Sequence, residues 1–77
     1  MSISNPSAVA HARSMIEIIK ASLIPGLAER NKAMADGYIT SLFDSELIDR
    51  DQFEDLKIEA ELAFTNWTLK ADAERHL

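Results

Sequence analysis

The chain has 77 residues, 13 of them acidic and 8 basic, with no cysteine, two glycines and a 47 % share of apolar side chains. One thin-cored domain is the ceiling at this size, since such a chain buries only roughly 60 to 65 % of its unfolded surface. The apolar share disfavours full disorder, the missing cysteines exclude disulfides and thiolate metal sites, and a cytoplasmic protein is expected.

No basic stretch followed by an apolar one opens the sequence, so no secretory leader is expected. Asn5 can cap a helix with Pro6 in the first helical position, where a missing N–H costs nothing. Val9, Ala12, Ile16, Ile19 and Leu23 then recur at 3-4-3-4 spacing, with Met15 and Ile18 widening the stripe. This pattern predicts an amphipathic helix over 6–23. Its most apolar part, Met15 to Leu27, includes Glu17, Lys20 and Pro25 and falls short of the roughly 20 apolar residues that span a bilayer.

Pro25 leaves two outcomes open. Proline removes a helical hydrogen bond and pushes Ile24 towards extended geometry, which favours a break with Pro25 in the first turn of a second helix. Against that, the apolar register continues through Leu27, Met34, Tyr38 and Leu42, as in a kinked continuous rod. Either way this segment runs over 25–43. Gly37 inside it costs about 1 kcal/mol relative to alanine. Paired with Ala33, it either lets a neighbouring helix approach closely or is a tolerated surface glycine.

A short connection then leads to Ile48-Asp49-Arg50-Asp51-Gln52, a strong start signal. Asp49 can cap, Gln52 can reach back to it, and Ile48 can staple onto Phe53. The helix predicted over 49–73 carries the stripe Phe53, Leu56, Ala60, Ala63, Trp67, with Phe64 and Leu69 beside it. Short connections give antiparallel neighbours, so the fold class is all-α. The expected architecture is a long antiparallel helical hairpin plus an N-terminal helix, dimerising into a helical bundle; a monomeric three-helix bundle is the competitor. The packing seam or dimer interface comprises Val9, Ile16, Ile19, Leu23, Met34, Tyr38, Leu42, Phe53, Leu56, Ala60, Ala63 and Trp67.

Groups able to support catalysis are sparse. His11 and His76 lie far apart in sequence, and His76 suits the negative end of a helix dipole. The acidic connection fails as an EF-hand. Counted from Asp44, the fifth ligand position is Ile48 and the required glycine is Asp49; counted from Asp49, the fifth position is Phe53. No serine sits in a nucleophile elbow, and two glycines cannot build a phosphate loop. The Asn66-Trp67-Thr68 triplet matches the glycosylation pattern by coincidence, in mid-helix. No enzyme activity, cofactor or metal is expected.

Charge distribution narrows the partner class. Residues 44–61 hold eight acids against Arg50 and Lys57, a local net of −6, while the remainder carries +1. Such a pole repels phosphate and opposes nucleic-acid binding. It suits a basic protein surface, with Asp49, Asp51, Glu54 and Asp55 as the partner-binding acids, although acids near a helix start also serve simply as favourable solvated charges. Trp67, the sole tryptophan, is either a contact hot spot or core filler. The expected function is a small non-enzymatic protein-binding regulator or adaptor, acting as a homodimer without membrane contact. The alternatives are a structural subunit of a larger assembly and, less favoured, a nucleic-acid-binding helical regulator.

Overall fold

The computed structural model describes residues 4–75. Residues 1–3, and His76 with Leu77, lie outside them. Three helices, α1 (Pro6–Lys20), α2 (Pro25–Asp44) and α3 (Arg50–Arg75), account for most of the described residues, without a strand among them. Each helix packs on the other two. The result is an elongated bundle, 50 × 17 × 16 Å, in which α2 runs antiparallel to α1 and α3. The described chain folds as an up-down-up bundle closed by its own first helix; dimerisation, expected as the cover for the hairpin, is not shown.

Local chemistry explains each boundary. Asn5 Oδ1 accepts from the amides of Ser7 (2.9 Å) and Ala8 (3.2 Å), and Pro6 follows at the first helical position. The Asn5 amide itself donates to the Leu47 carbonyl at 2.7 Å, tying the start of α1 to the α2–α3 connection. The helix breaks ahead of Pro25, which opens α2. Ile24 takes the extended geometry (φ −136°, ψ 154°) that a following proline imposes, and α1 has already ended at Lys20, three residues before the expected stop. The Asp49 carboxylate accepts from the Gln52 amide at 2.8 Å and so starts α3.

α2 ends in a Schellman motif. The Leu47 amide donates to the Leu42 carbonyl (2.9 Å) and the Glu46 amide to the Phe43 carbonyl (3.0 Å), which places Glu46 at the left-handed position with φ 60°. Glycine usually occupies that site.

The core alternates small and large residues. Ala8, Ala12, Ala28, Ala35, Ala60 and Ala63 are buried together with Ile16, Ile19, Ile39, Leu42, Ile48 and Leu56. Small side chains facing large ones let three helices interdigitate around a narrow interior. On α2 this changes the expected register. Leu27 and Met34 are 40 % and 53 % exposed, and the core positions beside them go to Ala28 and Ala35. Leu23, expected on the seam, is 89 % exposed because the helix that would have turned it inward has already ended. Gly37 is exposed, and a Cβ there would meet nothing within 4 Å among the described residues, so none of the three helices uses the gap.

Candidate interaction surface

The inner face of α3 joins the bundle. Leu56, Ala60 and Ala63 are buried, and Phe53 and Trp67 are half-buried at either end. Phe53 stacks on Phe43 with ring centroids 4.6 Å apart. The Trp67 indole Nε1 donates to the Ser22 carbonyl at 2.7 Å, while the Ser22 hydroxyl donates to Ile18 O and accepts from Asn31 Nδ2, each at 3.0 Å. Ser22 thus ties the ends of all three helices together. Of the other seam residues, Ile16, Ile19 and Leu42 are buried and Val9 and Tyr38 half-buried, whereas Leu23 and Met34 face outward. His11 packs edge-on against Tyr38, with centroids 4.9 Å apart, a packing contact between α1 and α2.

The acids divide into two groups. Several are held within the fold: Asp49 caps α3, Glu59 accepts from Arg13 Nε and Nη2 at 3.2 and 3.0 Å, and Glu61 pairs with Lys32 at 2.8 Å. Lys32 also meets Asp36 at 2.6 Å, and Lys57 reaches Asp36 at 3.5 Å, giving an alternating network across α2 and α3. The bond to Asp36, then that to Glu61, raises the Lys32 ammonium above the ordinary lysine range against a smaller opposing effect of burial. Arg13 is raised in the same sense by Glu59, but at 52 % exposure that pair adds little stability. The second group, Asp44, Glu46, Asp51, Glu54 and Asp55, is exposed. Of the four proposed partner-binding acids, Asp51, Glu54 and Asp55 therefore face solvent, whereas Asp49 is engaged in the fold.

On the outward face of α3, Ile58, Leu62 and Leu69 are 57 %, 56 % and 62 % exposed. With Thr65 they follow a 4-3-4 spacing, which puts them on one line along the helix. Lys57, Ile58, Glu61, Leu62 and Thr65 line a shallow groove there. Sequence reasoning missed this stripe and set Leu69 beside the inner seam, although the signal was present as a second heptad pattern offset from Leu56, Ala60 and Ala63. At the opposite end of the bundle from the acids, Leu23 and Ile24 project beside a cleft that includes Pro25, Trp67, Lys20 and Lys70.

Among the described residues no three histidine, cysteine or carboxylate groups converge as metal ligands, and no helix is long and apolar enough to cross a membrane. Comparison with protein-family models, with curated proteins and with solved structures gives no match for this chain.

Proposed function

We propose that the chain is a non-enzymatic protein-binding module, a three-helix bundle that presents the outward face of α3 to a larger protein. The observation supporting this most directly is the line of exposed Ile58, Leu62 and Leu69 on a helix whose other face already fills the core. A helix needs one apolar face to join a bundle; a second, solvated one lowers solubility unless something covers it. Asp51, Glu54 and Asp55 lie near the stripe and steer a basic surface towards it.

Affinity capture from native-host extract tests this reading, with wild-type protein and an Ile58→Ser/Leu62→Ser variant immobilised side by side. A protein retained by the first and lost from the second is the expected outcome. Equal retention on both, or none on either, overturns it.

A further inference from the structure

Given a protein-binding role, we propose that the occupant of the α3 groove is an amphipathic helix of the partner with a short apolar stripe and lysine or arginine at one end of it. The line of Ile58, Leu62, Thr65 and Leu69 extends backwards in the same 4-3 rhythm to Asp55 and Asp51. One continuous helical face is therefore acidic over its first part and apolar over the rest. Glu54 and Glu61 lie on one edge of it. From Ile58 to Leu69 the apolar part is about 16 Å long, the length of three helical turns. Ridge-into-groove packing of one helix covers such a line, and the preceding acids require cations in register on the incoming helix.

Charge disfavours a second copy of this chain on the same face. In an antiparallel pair that sets Ile58 against Leu69, Asp55 of each copy meets Asp72 of the other. In a parallel pair Asp51, Glu54 and Asp55 each meet their own counterparts. Like charges directly opposed disfavour both arrangements. Three apolar side chains make a small contact, so the affinity expected is on the order of micromolar and sensitive to salt.

Two synthetic, fluorescein-labelled helical peptides of about 18 residues test the proposal. Both carry leucines at 4-3-4 spacing, one with lysines at the end of the stripe and its sister with glutamates. Anisotropy titrations with the full chain should show saturable binding of the lysine peptide, weakened about tenfold by Leu62→Ser or Ile58→Ser. Binding should also weaken severalfold with Asp51→Asn/Asp55→Asn and at high salt, and be unchanged by Leu23→Ser at the far end. Because residues 58 and 62 are exposed, circular dichroism of these variants should match wild type. Equal binding of the glutamate peptide, lysine-peptide binding indifferent to both serine variants, or no binding of the lysine peptide overturns the proposal. So does a light-scattering mass that doubles for wild type and not for Leu62→Ser, which would make a second copy the occupant. If the lysine peptide fails while extract capture still depends on residues 58 and 62, the basic-helix inference falls and the protein-binding reading stands.

Discussion

Glu46 holds a left-handed backbone conformation, φ 60°, because the Schellman hydrogen bonds that end α2 demand it there. For an L-residue with a Cβ that geometry costs roughly 1–2 kcal/mol, part of which glycine returns through its larger unfolded-state entropy. Glu46→Gly should therefore stabilise the chain by about 0.5–1 kcal/mol, read as a rise of several degrees in thermal midpoint. A lower midpoint would show that the Glu46 side chain contributes more than its backbone costs. Trp67 is the opposite case, a residue whose polar atom secures packing. Trp67→Phe keeps most of the ring but leaves the Ser22 carbonyl without the indole donor, at an expected cost of about 1 kcal/mol by urea unfolding. Trp67→Ala, which also removes the ring, should cost more.

At the scale of the helices, glycine and charge carry the next predictions. Gly37 lies in mid-helix, exposed, with open space where a Cβ would go, so Gly37→Ala should stabilise by about 0.5–1 kcal/mol. No change in thermal midpoint would imply that something other than helix propensity governs that position. Between α2 and α3, Lys32 is bonded to Asp36 and Glu61, and its folded-state pKa is raised. Stability from a raised lysine is complete below the ordinary lysine pKa and disappears as pH climbs through the higher folded value. Wild type should accordingly exceed Lys32→Met by about 1 kcal/mol near neutrality and lose that advantage above the lysine range. A gap between the two that stays constant from pH 7 to 11 would remove the network as its cause.

The helices were legible because their starts depend on adjacent residues: Asn5-Pro6, Pro25, and Asp49 with Gln52. Core register was harder to read. A reading weighted by side-chain size places Leu27 and Met34 inside, whereas the crowded three-helix interior takes Ala28 and Ala35 and leaves the larger neighbours outside. The outward stripe of α3 was present in the spacing, but two apolar faces on one helix cannot be told apart until a third helix claims one of them. Beyond the capping signal at Asp49, nothing in the sequence separated acids used for pairing from those left in solvent, because that division depends on which residues of α1 and α2 arrive opposite them.

For the whole molecule, the decisive point is that α1 lies in the gap between α2 and α3 and supplies buried Ala12, Ile16 and Ile19 to one core. A hairpin lacking that helix would need a second subunit to cover its seam, and its unfolding midpoint would rise with concentration by mass action. With the core closed within one chain, the seam needs no second subunit to cover it. The thermal midpoint should stay constant, within about a degree, over a hundredfold range of protein concentration, since a change in free energy of 1 kcal/mol would move it by roughly 4–8 °C in a domain of this size. Leu62→Ser, on the outward face of α3, should leave both the midpoint and its constancy unchanged, whereas Ile16→Ala should lower the midpoint at every concentration, at a cost of about 2–5 kcal/mol. A wild-type midpoint that climbs with concentration, and stops doing so in Leu62→Ser, would make the α3 face part of the folding unit rather than a surface held out to another protein.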